Sequence, residues 1–348
     1  MPCSWGKTVK IGKETIEAAA RTLKEARRLW LTTHVKSDGD GIGCELALLR
    51  FLEGQGKEVR VINDTAVPPS LAFLLKRPGE IEVYDGKSHD RFLRTADAIV
   101  VLDVGLTYRL GRLEPFFLES RAAKVCLDHH TECDNAFHHL LSDTATGSTG
   151  EILARLFEAL DARLTPEIAT PLFAAVAIDT GSFAYERCTP ETFRLAARLV
   201  EAGAEPYAVH RGLHWNRRMD EVKLEGEVIQ NLRLDGTGAI AYSEVTRDML
   251  GRYGIDPMEM PAVVNVPLSV EGVEIALLFV EAEPCTVHVS ARSKGKVPVH
   301  TLARKFGGGG HPLAAGFSLQ GPLEEAKVKV LGEARTLLGR PARLCETG

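Results

Sequence analysis

The stretch Leu29-Trp-Leu-Thr-Thr-His34-Val-Lys-Ser-Asp38-Gly-Asp40-Gly-Ile-Gly-Cys44 decides the fold of this chain. Residues 29–33 are apolar or β-branched and predict a buried strand, whereas residues 44–52 follow with helical periodicity. The polar turn between them combines one imidazole and two carboxylates with glycines, and such a turn can fold around a cation. A strand, a polar turn and a helix in this order predict the opening unit of an α/β domain.

The same alternation extends in both directions from this stretch. A helix is predicted before it, over residues 13–28, and β-rich runs follow it at residues 58–62, 81–84, 98–102 and 124–127. Segments able to form helices or turns separate these runs, so we expect a mostly parallel sheet covered on both faces. From Gly147 to about Asp235 the pattern is helical, with helix-start signals at Thr165-Pro166-Glu167 and Thr189-Pro190-Glu191.

The pattern changes after residue 235. Strands are predicted at residues 239–245, 274–280 and 286–291, and helices at 247–253 and 323–338. These elements indicate a second, smaller α/β domain. We therefore predict three parts, with the active site in the cleft between the two domains: a catalytic, metal-binding domain at 1–205, a helical linker at 206–235 and a substrate-binding domain at 236–348.

The composition is that of an ordinary globular protein, with 348 residues, 45% apolar and 26% charged. It contains neither a membrane-length apolar run nor a secretory signal, so we expect a cytoplasmic protein without membrane partners. Its seven cysteines include no C-x-x-C pair, which argues for free thiols and against structural zinc. A net charge of −5 argues against a grip on long duplex nucleic acid, although local basic clusters can still hold a short polyanion.

Acidic residues follow several of the predicted buried segments. Asp103 comes after residues 98–102, Asp128-His129-His130 after 124–127, and Asp179 after the apolar run 172–178. Ligands of an open α/β sheet bind outside the carboxyl ends of its strands, so these side chains are expected to converge with those of the first turn. Because converging carboxylates repel one another, the cluster predicts a cation site.

Mixed oxygen and imidazole ligands suit Mn²⁺ better than calcium or structural zinc, while Mg²⁺ and Co²⁺ are tolerated by the same ligands. A calcium-binding EF-hand loop beginning at Asp38 is excluded, because it would place Ile42 and Leu49 at positions that need a ligand oxygen.

A glycine-rich segment in the predicted second domain offers a site for an anion. Phe306 is followed by four glycines, residues 307–310, and then by His311, while Arg292 ends a predicted strand. Exposed backbone N–H groups and a planar guanidinium can together hold a phosphate. The segment fits neither a P-loop nor a dinucleotide-binding motif, which argues against kinases and dehydrogenases.

These residues together resemble the DHH phosphoesterases. His34-x-x-x-Asp38-x-Asp40, Asp103, Asp128-His129-His130 and Asp179 are similar to the four motifs of that family, and the glycine segment is similar to its DHHA1 domain. The motifs span about residues 30–318, and the length resembles that of the bacterial nanoRNase and pAp phosphatase group. Ser37, Gly41 and Cys44 depart from the residues common in the family, and because none of them is a ligand position, the departures bear on substrate preference rather than on catalysis.

The resemblance implies roles for individual residues. One metal ion would be held by His34, Asp38 and Asp103, and a second by Asp40, Asp103, His129 and Asp179, so that Asp103 bridges the pair. Asp128 would orient its neighbours, and His130 would face the substrate or the nucleophile. The substrate would be held by Arg292, Gly308, Gly309, Gly310 and His311.

The resulting hypothesis is a two-metal hydrolase, with Mn²⁺ as the expected ion, in which the ions activate water and stabilise negative charge on phosphorus. Its substrates would be short single-stranded RNA or DNA oligonucleotides, which it would shorten as an exonuclease, or small nucleotides such as 3′-phosphoadenosine 5′-phosphate (pAp). Three alternatives stay open: a cyclic-dinucleotide phosphodiesterase, a family II-like pyrophosphatase and a non-catalytic nucleotide-binding regulator. The oligomeric state is equally open, a homodimer included.

Overall fold

A computed structural model describes residues 11–257 and 263–339 of the chain. The chain folds as two units, Met1–Asn216 and Arg217–Gly348. The boundary falls inside the predicted linker, 206–235, and assigns the helices on either side of it to different units. Each unit is built around its own sheet and is described separately.

The first unit alternates strands and helices. Its strands are β1 (Arg28–Thr32), β2 (Glu58–Asn63), β3 (Ile81–Val83), β4 (Ala98–Leu102), β5 (Ala123–Asp128) and β6 (His139–Ser142). Its helices are α1 (Lys13–Glu25), α2 (Gly39–Gly54), α3 (Gly86–Arg94), α4 (Glu114–Glu119), α5 (Thr149–Ala159), α6 (Pro166–Asp179), α7 (Pro190–Glu201) and α8 (Pro206–His214), with short 3₁₀ helices at Pro69–Leu74 and Thr107–Leu113.

All six strands of the first sheet run parallel, in the order β3-β2-β1-β4-β5-β6. The order reverses between β1 and β4, because the chain builds outward from β1 to β3 and then returns to add β4 on the other side. Loops that leave two neighbouring strands at such a reversal open away from each other and create a crevice. The predicted acidic residues follow β1, β4 and β5, at and beside this reversal.

Apolar side chains cover both faces of the first sheet, which confirms the predicted fold class. Successive residues of β1 belong to different cores: Leu29 and Leu31 pack on one face and Trp30 on the other. The first core includes residues of α1, α2, α5 and α6, and the second includes residues of α3 and α4. Alternating side-chain direction along a buried strand produces this division.

Helices α2 and α6 pack so closely that Gly43 has no room for a side chain. A Cβ atom built on Gly43 would lie 2.4 Å from the carbonyl oxygen of Pro171 and 2.9 Å from Cβ of Ala175. This contact matters to function because α2 carries Asp40 in its first turn and α6 ends at Asp179.

Replacing Gly43 by alanine is therefore expected to destabilise the protein by about 1–3 kcal/mol, since the added methyl group overpacks the helix contact. Gly54→Ala in the same helix is the matched control, because a Cβ there meets nothing within 4 Å. Urea unfolding of both variants measures the difference. Equal stabilities of the two variants would contradict this account of the helix contact.

The second unit has a mixed sheet. Its strands are β7 (Arg233–Leu234), β8 (Ile240–Val245), β9 (Ile275–Glu283), β10 (Thr286–Ser293), β11 (Gly309–His311) and β12 (Ala314–Gln320), in the order β11-β12-β10-β9-β8-β7. Its helices are α9 (Met219–Gln230), α10 (Arg247–Tyr253), α11 (Val299–Lys305) and α12 (Leu323–Leu337), with a 3₁₀ helix at Val263–Ser269. Only β8 and β9 pair in parallel among the described strands of this sheet.

Several element boundaries differ from those predicted. Helix α1 ends at Glu25 rather than at residue 28, and α2 begins at Gly39 rather than at 44. The earlier start of α2 follows from Asp38, whose Oδ1 accepts hydrogen bonds from the backbone N–H groups of Asp40 (3.1 Å) and Gly41 (3.4 Å). Strands β6, β11 and β12 were not predicted, because histidine, glycine and alanine carry little strand signal.

Among the described residues, no helix combines the length and the apolar character that crossing a bilayer requires.

Candidate metal centre

The turn after β1 places the first group of polar side chains. Nδ1 of His34 lies 2.8 Å from the carbonyl oxygen of Val35, which orients the imidazole. Its Nε2 atom lies 3.9 Å from Oδ2 of Asp38 and 3.6 Å from Oδ2 of Asp103. These ligand atoms are near enough to share one ion, and we refer to His34, Asp38 and Asp103 as the first acidic group.

A second set of side chains lies beside the first. Nε2 of His129 is 3.1 Å from Oδ2 of Asp179 and 3.9 Å from Oδ2 of Asp40. Asp179 is the last residue of helix α6. It therefore reaches the other acidic residues from the end of a helix and not from the end of a strand. We refer to Asp40, His129 and Asp179 as the second acidic group.

Asp103 faces both acidic groups. Its Oδ2 faces His34 of the first acidic group, while its Oδ1 lies 3.6 Å from Nε2 of His129 in the second. Its backbone is left-handed, with a φ of 61°, which costs a non-glycine residue roughly 1–2 kcal/mol. Strain of this size is characteristic of functional positions, because the surrounding structure must hold the residue there.

Asp128 and His130 form a hydrogen-bonded pair at the edge of these groups. Oδ1 of the buried Asp128 lies 2.6 Å from Nδ1 of His130, and it also accepts from the backbone N–H of His130 at 3.2 Å. Nδ1 of His130 is 3.8 Å from Oδ1 of Asp103. The carboxylate therefore fixes the orientation of the imidazole next to the shared aspartate.

The N-terminus of helix α5 supports the carboxylates and was not predicted as part of the site. Oδ2 of Asp40 accepts from the backbone N–H of Thr149 (2.6 Å) and Oδ1 from that of Gly150 (3.0 Å). The hydroxyl of Thr149 donates to Oδ1 of Asp103 at 3.0 Å. The pattern Ser148-x-x-Glu151 is a helix-start signal that marks this position, but it gives no sign of what the helix faces.

Glu45 and Asn63 form a hydrogen-bonded pair at the end of β1, and the sequence did not predict that they belong to the site. Nδ2 of Asn63 donates to Oε2 of the buried Glu45 at 2.9 Å, and Oδ1 of Asn63 accepts from the backbone N–H of Thr33 at 3.2 Å. Burial raises the pKa of Glu45 to about 8, against the opposing effect of the Asn63 hydrogen bond. A buried Glu45 that is neutral adds no further negative charge near the acidic groups.

The electrostatics of the cluster call for positive charge. Burial, followed by the charges of the neighbouring aspartates, raises the pKa values of Asp40 and Asp103 well above their ordinary range. Burial lowers the pKa of His129, but the Asp179 hydrogen bond and nearby negative charges outweigh it and raise that pKa to about 9. For His34, burial prevails and lowers the pKa.

The donor set fits divalent ions. Burial and mutual repulsion disfavour the charged forms of Asp40 and Asp103 and so raise their pKa values, and cations bound beside the carboxylates would offset that repulsion. Carboxylate oxygen and imidazole nitrogen are ligands suited to Mn²⁺, Mg²⁺ or Co²⁺. The two acidic groups lie side by side, and Asp103 also lies with His129 and His130 in a third set of side chains that could hold an ion.

In the second unit, the predicted substrate-binding residues lie on neighbouring strands. Ala314 of β12 is paired with Arg292 of β10 on one side and with His311 of β11 on the other. Gly309 and Gly310 belong to β11, so part of the glycine run is a strand and not an open loop. A Cβ on Gly308 would lie 2.3 Å from the carbonyl oxygen of Gly316, which explains one glycine by close packing. The side chain of His311 lies outside the described part of the structure.

Two family models match this chain. The model described as "DHH family, N-terminal domain" matches residues 28–176, and the model of the "DHHA1 domain" matches residues 237–338. The first match includes the acidic residues that follow β1, β4 and β5, and the second includes Arg292 and the glycine run.

Similar proteins agree with these matches. The bifunctional oligoribonuclease and PAP phosphatase NrnA of Thermus thermophilus is 30% identical over 95% of this chain and 97% of its own length. A crystal structure of an exopolyphosphatase-related protein from Bacteroides fragilis has a TM-score of 0.88 at 28% identity, covering 94% of this chain and 97% of that one. RecJ of Thermus thermophilus, crystallised in complex with Mn²⁺, shares the fold at a TM-score of 0.56 and 16% identity, covering 97% of this chain and 57% of its own. The chain therefore belongs to the DHH/DHHA1 family of phosphoesterases.

Proposed function

We propose that this protein hydrolyses phosphate esters of short oligonucleotides and of pAp with the help of two divalent ions. The observation that carries the proposal is the position of Asp103, whose two carboxylate oxygens face different sets of aspartate and histidine side chains. Two ions joined by one carboxylate are a recurrent arrangement for phosphoryl transfer to water.

The residues that would hold the ions follow from the two groups. His34, Asp38 and Asp103 would hold one, and Asp40, His129 and Asp179 the other, with Asp103 joining the second set through its Oδ1 atom, 3.6 Å from Nε2 of His129. When bound, the ions supply acidified water and stabilise charge that develops on phosphate oxygens. We propose Mn²⁺ as the ion, supported by the mixed ligand set and by RecJ, the relative crystallised with it.

His130 is proposed to act on the substrate, with Asp128 positioning it. Because Asp128 engages Nδ1, proton exchange with a substrate or product oxygen is left to Nε2 of the same ring. From that position the imidazole would donate a proton to the leaving group. Asp103 stays deprotonated in this scheme once positive charge is bound beside it.

A phosphate-binding role for the second unit stays a proposal as well. Arg292 and strand β11 lie two strands apart in one sheet, and Ala314 of β12 is paired with both Arg292 and His311. The guanidinium of Arg292 and backbone N–H groups around Gly308, Gly309 and Gly310 are chemically suited to a phosphate, with His311 next to them. The choice of short oligonucleotides and pAp is supported by the Thermus relative named for both activities.

The test is a substrate panel with the purified protein in Mn²⁺. We expect shortening of labelled di- to pentanucleotides and phosphate release from pAp, both abolished by EDTA and restored by added Mn²⁺. Pyrophosphate and cyclic dinucleotides in the same panel test the neighbouring activities. Turnover of pyrophosphate alone, of cyclic dinucleotides alone, or of none of these compounds would refute the proposed substrates.

A further inference from the structure

The chain folds back on itself directly after Asp179. The backbone N–H groups of Ala184 (2.9 Å) and Tyr185 (3.0 Å) both donate to the carbonyl oxygen of Thr180, and the thiol of Cys188 lies 3.8 Å from the same oxygen. Ser182 and Phe183 have left-handed backbones, with φ values of 57° and 66°. This strained turn brings residues 187 and 188 back close to Thr180, the residue that follows Asp179.

Arg187 consequently lies beside the elements that support the second acidic group. A Cβ atom on Gly147 would be 2.9 Å from Cγ2 of Thr180 and 3.5 Å from the carbonyl oxygen of Arg187. Gly147 is followed by Ser148, the N-cap of helix α5, and the first N–H groups of that helix donate to Asp40. The backbone of Arg187 therefore lies near the start of α5, beside the same glycine that Thr180 approaches from the end of α6.

The guanidinium of Arg187 is half-buried in this position. Burial lowers its pKa, while the negative charges of Asp179 and then Glu186 oppose that effect. Arginine stays charged under these conditions, so its five N–H donors require acceptors. Asp179 is the member of the second acidic group whose charge reaches it.

No ion pair or hydrogen bond of the Arg187 guanidinium occurs within residues 11–257 and 263–339. Arg50, whose side chain is 8% exposed, illustrates the usual arrangement: it pairs with Glu80 and donates to the carbonyl oxygens of Leu74 (2.7 Å) and Glu167 (3.0 Å). A half-buried guanidinium without such partners is prepared for an external anion, because binding one supplies the missing acceptors.

We propose that Arg187 binds a phosphate group of the substrate at the second acidic group. Its planar N–H donors would hold two oxygens of one phosphate while Asp179 and His129 lie on the near side. This inference rests on the proposed function and deepens it, since it assigns a phosphate contact to the first unit that none of the family motifs includes.

The alternative role for Arg187 is to offset the negative charge of the aspartates. That role predicts tighter Mn²⁺ binding when the guanidinium is removed, with KM unchanged. A phosphate contact predicts instead that removing the guanidinium weakens substrate binding, while the affinity for Mn²⁺ stays equal or rises slightly. The two roles therefore separate when metal and substrate affinities are measured in the same variant.

The experiment uses the full chain with Arg187→Gln and Arg187→Lys, and Arg194→Gln as the matched control. Arg194 is an exposed residue of α7 that pairs only with Glu191 within the described residues, and it loses the same charge. Measurements are Mn²⁺ affinity, thermal stability, kinetics with pAp and calorimetric binding of adenosine 5′-monophosphate (AMP) to the Mn²⁺-loaded protein.

We expect Arg187→Gln to raise KM and to weaken AMP binding by about 10- to 100-fold, the usual effect of losing a charge-assisted hydrogen-bonded pair. Arg187→Lys should recover part of the loss, because it restores the charge but not the planar fork. Arg194→Gln should match the unaltered protein. KM and AMP affinity of Arg187→Gln within twofold of the unaltered protein would overturn the inference.

A failure of the proposed function would look different. The unaltered protein would then turn over none of the phosphate esters, whereas AMP binding to it would still be measurable. Comparing that binding between the unaltered protein and Arg187→Gln decides the role of Arg187 in that case too, with equal affinities again counting against it.

Discussion

Replacing Asp103 by asparagine is expected to lower turnover by about 1,000-fold or more, because the two proposed ions would supply several kcal/mol of charge stabilisation and each tenfold in rate corresponds to about 1.4 kcal/mol. Asp103 is 1% exposed, and its oxygens face His34 at 3.6 Å and His129 at 3.6 Å. Losing its charge would therefore weaken both proposed ion positions at once. Mn²⁺ titration and kinetics with pAp measure the two effects.

Comparing the stability of the metal-free variant with that of the metal-free unaltered protein tests whether the loss of turnover comes from unfolding. The raised pKa of Asp103 means that its charge disfavours the folded state near neutral pH, so a neutral asparagine should leave the metal-free protein as stable or more stable. Asp248→Asn serves as the control, because that carboxylate is 84% exposed on α10. Turnover within tenfold of the unaltered protein in Asp103→Asn would end the two-ion proposal.

Metal-free protein is expected to lose stability as the pH rises from about 6.5 to 9. His129 has a folded-state pKa of about 9, above the value near 6.5 of an unfolded histidine. Its contribution is fully present below pH 6.5 and is lost as the pH passes 9, and the raised pKa values of Asp40 and Asp103 act in the same direction. For His129 alone the difference is about 3 kcal/mol, or a fall in Tm of roughly 10 °C.

Bound Mn²⁺ is expected to reverse this dependence. Metal and protons compete for the same imidazole and carboxylates, so ion binding strengthens as the pH rises. At a thousandfold excess over Kd, one ion adds about 4 kcal/mol of stability. Thermal unfolding at pH 6.5 and pH 8.5, in Mn²⁺ and in EDTA, should therefore give a stabilisation by metal that is clearly larger at pH 8.5.

The contribution of His129 can be isolated by substitution. His129→Gln should flatten the pH dependence of the metal-free protein, whereas His89→Gln, which alters a buried histidine away from the cluster, should keep it. An equal metal effect at both pH values in the unaltered protein would show that the cluster does not exchange protons for ions.

Local patterns were sufficient for the fold class. Apolar runs such as 98–102 became fully buried strands, because a strand covered on both faces needs apolar residues at every position. Boundaries were less predictable where side chains decided them. The start of α2 at Gly39 depends on hydrogen bonds to the Asp38 carboxylate, and periodicity of apolar residues does not register such a cap.

The side chains proposed as ligands were also visible in the sequence, because ionisable residues at the ends of buried segments need a chemical reason. The residues that support them were not. Thr149, Glu45 and Arg187 are ordinary in their local sequence, and they matter only through what the fold places next to them.

By itself, the sequence determined the alternation of strands and helices and the chemical types of side chain at the strand ends. Only the tertiary structure decided that the two oxygens of Asp103 face different histidines, that α5 supplies N–H groups to Asp40, and that the turn after Asp179 places Arg187 near the second acidic group. The physical reason is range: hydrophobic period and capping act within a few residues, whereas electrostatic and hydrogen-bonding partners here are separated by as many as 110 positions and meet only when the sheet and its helices have packed.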